Sequence, residues 1–279
     1  MDRRDVLLSI SAAAALAQAQ SPEKIQRKGR IKQGVTRGCF GRGMQFEDMC
    51  REAARLGLHC FDLIGQKDWP TLKKYGLIPT VVSGAGNINN GLNDKANHER
   101  LEAQFRTNIA AAAEAGAPSV ITFSGARRNM KDEEAWENCA AILKKVTPLA
   151  EDKGITICME LLNSKVDHPD YQCDHTSWGV ELCKRVGSPR FKLLYDIYHM
   201  QIMEGDIIRT IRQNIAHIGH FHTAGNPGRH EFDETQELSY RPIALAIVET
   251  GYQGYFSHEY SPLKNALQSL EEAIRICDV

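Results

Sequence analysis

The chain has 279 residues, of which 42% are hydrophobic and 25% are charged, and its formal net charge is −1. These values are ordinary for a folded globular protein, and the length suits one barrel domain of about 250 residues. A near-neutral chain lacks the broad positive surface that binds polyanions, which excludes nucleic acid as an expected partner. The eight cysteines include no CxxC pair, which favours small buried side chains over a disulfide framework.

The first nineteen residues have the pattern of a secretory signal peptide. Arg3 and Arg4 precede an apolar run at 6–17, and residues 17–19 give a small-x-small cleavage pattern. The paired arginines predict the twin-arginine route, and therefore a periplasmic or extracellular location. The apolar run is too short and too rich in alanine for a stable membrane span. We predict a signal peptide at 1–19, a linker at 20–31 and a barrel at 32–279, with a frayed N-terminal helix as the alternative at the start.

From residue 32 onward, short β-rich runs alternate with longer amphipathic runs, which is typical of parallel strands joined by crossover helices. Strands are predicted at 32–36, 58–63, 77–83, 118–124, 155–161, 191–197, 216–223 and 253–259. Helices are predicted at 45–56, 67–75, 95–116, 131–153, 174–186, 204–214, 239–250 and 262–276. Eight strand–helix pairs favour an α/β fold of one domain, the closed (β/α)8 TIM barrel. The glycine-rich turn at 37–43 lacks the spacing of a dinucleotide-binding loop.

Metal-binding side chains end the last four predicted strands, and these residues are Glu160, Asp196, His222 and Glu259. In such barrels the carboxyl ends of neighbouring strands meet at one mouth, where the chemistry takes place. Three carboxylates and one imidazole suit Mn²⁺, Mg²⁺ or Co²⁺ better than a structural zinc, which prefers sulfur and nitrogen. Any one of these residues alone is as well explained by a helix cap or a surface charge, but four in strand order predict one divalent cation.

Other residues near the predicted mouth have less specific signals. His220 shares strand parity with His222, so it is predicted to point inward as a hydrogen-bonded core residue, with support of a metal ligand as the alternative. His258 has the opposite parity to the following glutamate and is predicted to face the helices. Phe40 and Trp69 lie on early loops and are predicted to form an apolar wall for a substrate.

Four short segments carry a more specific pattern: ELLN at 160–163 with DHP at 167–169, YDIYHMQ at 195–201, NPGRHE at 226–231 and SHEY at 257–260. Together they resemble the hydroxypyruvate isomerase branch of the xylose isomerase-like barrels, and the resemblance extends over 32–276. It implies that the four strand-end residues are the metal ligands and that Glu160 and Glu259 are also the catalytic acid/base pair. It further implies that His199 contacts a substrate oxygen and that Arg229 binds substrate.

Two assignments near the substrate stay open. Arg229 is predicted either to pair with a substrate carboxylate as a fork or to form a salt bridge with Glu231 or Asp233. His168, in the loop after the fifth strand, is predicted either to close over the pocket as a substrate-binding residue or to be a plain loop histidine.

The resemblance has one departure that bears on the substrate. Many members of that branch have glutamine where this chain has His222, whereas the ketose 3-epimerases, with a similar barrel and metal quartet, have histidine. We expect a metal-dependent aldose–ketose isomerase that transfers a proton through an enediolate. The alternatives are a sugar epimerase and a non-catalytic exported carbohydrate-binding barrel; a nuclease would need more metal-binding histidines and a basic groove. The expected partner is a small-molecule substrate, without stable membrane insertion after processing, and a homo-oligomer is left open.

Overall fold

The computed structural model describes residues 24–279, which form a single α/β barrel. The predicted signal peptide lies outside the described residues. The strands are β1 (Lys32–Val35), β2 (Cys60–Asp62), β3 (Ile78–Thr80), β4 (Val82–Ala85), β5 (Ser119–Thr122), β6 (Thr156–Glu160), β7 (Phe191–Asp196), β8 (Ile218–Thr223) and β9 (Tyr255–His258). All neighbouring strands pair in parallel, and their order in the sheet is β3-β2-β1-β9-β8-β7-β6-β5-β4. The predicted TIM barrel is confirmed.

The third predicted strand, 77–83, is divided into β3 and β4. The break lies at Val81, whose φ of 35° is unusual for a β-branched residue. Before this residue the chain pairs with β2, and after it the chain pairs with β5. The Val81 amide itself donates to the Ser119 hydroxyl at 3.2 Å. The single predicted strand therefore extends across the point where β3, the first strand in the sheet order, is followed by β4, the last.

The crossover segments are helical, as the alternating pattern predicts. The helices are α1 (Phe46–Arg55), α2 (Trp69–Lys74), α3 (His98–Ala115), α4 (Asp132–Lys153), α5 (Thr176–Val186), α6 (Ile197–Met203), α7 (Ile207–Asn214), α8 (Tyr240–Glu249) and α9 (Ala266–Cys277). Gly116 and Gly154 end α3 and α4 in the left-handed conformation, with φ of 73° and 70°. No helix within residues 24–279 is long and apolar enough to cross a membrane.

Helix α6 has no counterpart among the predicted helices. It begins directly after β7 because the side chain of Asp196 caps its first turn, accepting from the Tyr198 amide at 2.9 Å and the His199 amide at 3.4 Å. Most of this short helix is buried, so it lacks the polar face that identifies a surface helix in a sequence. The cap fixes His199 one turn above the end of β7.

The core lies in two places, as expected of a barrel. The larger part fills the space between the sheet and the surrounding helices. A smaller cluster of Val81, Ile121, Cys158 and Leu194 packs inside the barrel, below the strand ends. All eight cysteines are buried and free, which confirms the prediction of small apolar side chains. Burial raises the pKa of the Cys139 thiol, which keeps it protonated and inert.

Candidate metal centre and substrate cavity

The four strand-end residues converge at the mouth of the barrel. Glu160 and Asp196 are the last residues of β6 and β7, His222 lies in β8 beside Asp196, and Glu259 directly follows β9. One donor atom from each lies within 4.8 Å of the other three. Three carboxylates and an imidazole at this separation match the donor set of an oxygen-preferring divalent cation. The residues present therefore fit a metal ion.

His222 lies at the centre of this group. Its Nδ1 is 2.8 Å from Glu259 Oε2 and 3.3 Å from Glu160 Oε1, and its side chain is fully buried. Burial would lower the pKa of His222, but the surrounding carboxylates outweigh it and raise the pKa well above the ordinary value. The imidazole takes up positive charge because the site is rich in carboxylates.

Arg229 supplies a second positive charge to the same carboxylates. Its Nη2 donates to Asp196 Oδ2 at 2.8 Å and to Glu259 Oε2 at 2.7 Å, while its Nε donates to the Glu259 carbonyl at 3.2 Å. The guanidinium thus occupies a position where the carboxylates attract a cation. Glu231 accepts instead from the Leu263 and Lys264 amides, and Asp233 pairs with Lys264. The predicted salt bridge of Arg229 to Glu231 or Asp233 is therefore wrong.

His199 stands next to Arg229 at the edge of the carboxylate group. Its Nε2 accepts from Arg229 Nη1 at 2.8 Å, and its Nδ1 lies 2.6 Å from the Asn163 amide nitrogen. Burial and the adjacent guanidinium lower the pKa of His199, so the ring is neutral. His168 packs against it, with ring centroids 5.3 Å apart. The structure therefore brings all three predicted substrate-binding residues to one side of the site.

The two predicted acid/base residues have opposite electrostatic surroundings. Burial raises the pKa of Glu160. Burial also acts to raise the pKa of Glu259, but His222 and Arg229 outweigh it and lower the pKa. The Glu160 side chain is 9% exposed, whereas that of Glu259 is 23% exposed. Carboxyl groups whose pKa values move apart in one site are typical of acid and base partners.

A cavity of about 320 Å³ opens beside these residues. Glu259 and Arg229 line it, together with Leu63 and Ile64, which follow β2. Phe40 is buried against Phe61 instead, with ring centroids 5.6 Å apart. Neither it nor Trp69 is among the lining residues, so their prediction as the apolar wall is wrong.

Asp62 is a further candidate site residue, which the prediction from the last four strands missed. It ends β2, lines the base of the cavity and is buried. Its Oδ2 lies 2.6 Å from His220 Nε2 and 2.9 Å from His222 Nε2. Burial would raise the pKa of Asp62, but the two imidazoles outweigh it and lower the pKa. Applying the strand-end rule to the second strand, and not only to the last four, would have identified it.

The other two histidines lie where strand parity predicts. His220 is buried inside the barrel, where its Nε2 lies 2.6 Å from Asp62 Oδ2. His258 points the other way, where its Nε2 lies 2.9 Å from Gln33 Oε1, and Gln33 in turn donates to the Ile274 carbonyl of α9. Burial lowers the pKa of His258 to about 3, which keeps it neutral among the packed side chains.

Comparison with known proteins identifies the family. The sequence pattern of the xylose isomerase-like TIM barrel family matches residues 50–277. The chain belongs to this family. The match covers the helices and strands that carry every residue of the candidate site.

Individual relatives match over shorter stretches. The 2-oxo-tetronate isomerase of Cupriavidus necator is 40% identical over 114 residues, 40% of this chain and 43% of the relative. The hydroxypyruvate isomerase of Escherichia coli K12 is 36% identical over 110 residues, 39% of this chain and 42% of the relative. The chain thus spans less than half the length of these relatives in the matched stretches. A solved structure titled AP endonuclease, family 2, from Brucella melitensis superposes with a TM-score of 0.79 at 23% identity, covering 86% of this chain and 96% of that one, which shows a shared fold.

Proposed function

We propose that this protein is a divalent-metal-dependent isomerase of small hydroxy-carbonyl compounds, transferring a proton between adjacent carbons through an enediolate. The observation that carries the proposal is the placement of Glu160 and Glu259. They come from opposite ends of the group of four strands, yet both lie within 3.3 Å of the same His222 nitrogen. Two carboxylates that face one small volume are suited to remove and return a proton.

The remaining residues of the site are suited to bind and orient the substrate. A divalent cation held by Glu160, Asp196, His222 and Glu259, with Mn²⁺, Mg²⁺ or Co²⁺ as candidates, would stabilise negative charge on the substrate oxygens. His199 is neutral and its Nε2 lies 2.8 Å from Arg229 at the cavity wall, so it would hold a substrate oxygen once that contact is exchanged for one to the substrate. Arg229 has a planar guanidinium at the cavity wall, which suits a substrate carboxylate.

The substrate class follows from the cavity and from the relatives. A volume of about 320 Å³ is at the small end of the range for ligand sites. The two relatives above are named for isomerisation of hydroxypyruvate and of a 2-oxo-tetronate, both small hydroxy-keto acids. We propose a compound of this class as the substrate, bound with its carboxylate toward Arg229.

Epimerisation of a keto-sugar is the second candidate. It is favoured by the same pair of carboxylates, because removing a proton on one face of a carbon and returning it on the other needs a base on each side. His222 is also the residue that the ketose 3-epimerases have at this ligand position. Isomerisation and epimerisation share the first proton abstraction, so one experiment tests both.

Deuterium exchange tests the proposal. The wild-type protein loaded with Mn²⁺ or Mg²⁺ is incubated in D₂O with hydroxypyruvate and with a panel of ketoses, and exchange is followed by mass spectrometry. We expect deuterium next to the carbonyl of at least one compound, and a loss of about 10²–10⁴-fold in its rate in Glu160→Gln and in Glu259→Gln.

The matched control is Glu249→Gln, which changes an exposed carboxylate on α8 that pairs with Arg212. It should exchange at the wild-type rate. Exchange that persists undiminished in both site variants would contradict the assigned roles. A metal-loaded protein that exchanges none of the compounds would contradict the proposed reaction and favour a binding role.

A further inference from the structure

The inside of the barrel contains a second group of polar side chains, directly below the candidate metal centre. Asp62, His220 and His222 are fully buried, and their side-chain donor atoms lie within 4.8 Å of one another. Asp62 comes from β2, whereas both histidines come from β8, so these contacts cross the interior of the barrel. His222 belongs to both groups and connects them.

The two nitrogens of His222 have different partners. Nδ1 faces the carboxylates of Glu259 and Glu160 at the mouth, and Nε2 faces Asp62 Oδ2 at 2.9 Å. An ionised carboxylate only accepts hydrogen bonds. Nε2 therefore carries a proton toward Asp62, and a cation would bind at Nδ1 by replacing the proton that faces Glu259 and Glu160.

Asp62 is itself held in place from both sides. The Thr80 hydroxyl donates to its Oδ1, and His220 Nε2 lies 2.6 Å from its Oδ2. Neither the carboxylate nor the two rings is exposed, so water does not compete for these hydrogen bonds. The carboxylate thus has a fixed orientation toward His222.

We propose that Asp62 is a positioning residue, which holds His222 in the tautomer and orientation that present Nδ1 to a cation, with His220 fixing Asp62 in turn. The inference rests on the proposed metal site. Carboxylates that accept from the second nitrogen of a metal-bound histidine fix its tautomer, and their loss typically weakens metal binding by 10–100-fold. Asp62 would do this through His222, without itself binding the ion.

Cobalt binding to the full-length protein tests the inference without measuring activity. Co²⁺ is titrated into the wild type and into Asp62→Asn, and its affinity and visible absorption are recorded. We expect one Co²⁺ per wild-type chain. In Asp62→Asn we expect an affinity about 10–100-fold lower and an altered absorption spectrum, because the imidazole is no longer held in one tautomer.

The matched control is Cys60→Ala. Cys60 is another buried residue of β2, two positions before Asp62, and its side chain is not hydrogen-bonded to His222. This variant should bind Co²⁺ with the wild-type affinity and spectrum even if it lowers the melting temperature. Wild-type affinity and spectrum in Asp62→Asn would overturn the inference and leave the metal site standing. Folded wild-type protein that binds no Co²⁺ would overturn the metal site and the inference with it.

Two further readouts keep the inference testable if Asp62→Asn does not fold. The first is ¹⁵N NMR of histidine-labelled wild type loaded with Zn²⁺, with the His220→Gln variant used to assign the two rings. We expect His222 to carry its proton on Nε2, and a proton on Nδ1 would overturn the inference. The second is stoichiometry, because two Co²⁺ per wild-type chain would make Asp62 a ligand of a second ion instead.

Discussion

At the scale of single residues, the site is organised by side chains that have two roles. Asp196 caps α6 with one oxygen and faces Arg229 with the other. The carboxylate that is predicted to hold a cation therefore also fixes the helix that carries His199. A change at Asp196 would disturb both, which makes it less informative as a test than residues with one role.

Arg229 allows a sharper experiment on the substrate class. Arg229→Lys keeps the positive charge but loses the planar fork. Losing a charge-assisted hydrogen bond of about 1.5 kcal/mol corresponds to an increase in KM of about tenfold. We expect this increase for hydroxypyruvate and not for a ketose without a carboxylate, as measured by steady-state kinetics at equal metal loading.

The comparison of the two substrates is the internal control. If Arg229→Lys raises KM equally for the acid and for the ketose, Arg229 serves to neutralise Asp196 and Glu259 and does not bind a carboxylate. Arg185→Lys, on the outer surface of α5 beside Glu133, controls for a general effect of the substitution and should leave both KM values unchanged.

At the scale of helices and strands, the sequence predicted the alternation well and the local irregularities poorly. The eight predicted strands coincide with strands of the structure, although one of them covers both β3 and the start of β4, and strand order then placed Glu160, Asp196, His222 and Glu259 at one mouth. The break at Val81 was missed because a run of β-branched residues does not show where the backbone changes partner. Helix α6 was missed because it begins with a cap by Asp196, and the sequence pattern assigns Asp196 to the end of a strand.

Asp62 illustrates a different limit of the sequence. Its place at a strand end was visible, but its partners lie on β8, 158 and 160 positions away. Only the closed barrel brings β2 and β8 within hydrogen-bonding distance. Arg229 needs no such closure, because it follows β8, whose neighbours in the sheet are β7 and β9, the strands that carry Asp196 and Glu259 at their ends.

The glycine that ends helix α3 gives a prediction about the stability of the fold. Gly116 ends α3 at a φ of 73°, and a Cβ atom there would contact nothing within 4 Å. Gly116→Ala should therefore destabilise the fold through backbone strain alone, by about 1 kcal/mol. Chemical denaturation monitored by circular dichroism measures this.

Gly65→Ala is the matched control for the helix end. A Cβ atom at Gly65 is equally free of contacts, but its φ of −70° is accessible to alanine. This variant should be as stable as the wild type or more stable by about 0.5 kcal/mol, because alanine restricts the unfolded chain. Equal destabilisation in both variants would contradict the strain argument.

At the scale of the whole molecule, the segment that precedes the barrel contacts its lower face. The Ile25 amide donates to the Arg55 carbonyl at 2.8 Å, and the Lys28 amide donates to Asp278 at 2.8 Å. The described part of the predicted linker thus contacts both the end of α1 and the C-terminus. This face is opposite the mouth, so residues 24–31 contact the barrel away from the candidate site.

Export of the chain is a prediction that belongs to this scale. The full-length protein is expressed in a bacterium with twin-arginine machinery, and its compartments are separated. We expect the wild type to reach the periplasm and the Arg3→Lys, Arg4→Lys double variant to remain inside the cell. Arg27→Lys, Arg30→Lys is the control for altered charge and should be exported; equal distribution of all three proteins would contradict the signal.

We propose that one divalent cation binds where the last four strands end. The most direct measurement is the anomalous diffraction of Mn²⁺-loaded crystals of the wild-type protein. We expect a single peak bonded to Glu160, Asp196, His222 and Glu259. A folded, crystalline protein with no peak among these four residues, or with its ion held by other residues, would contradict it.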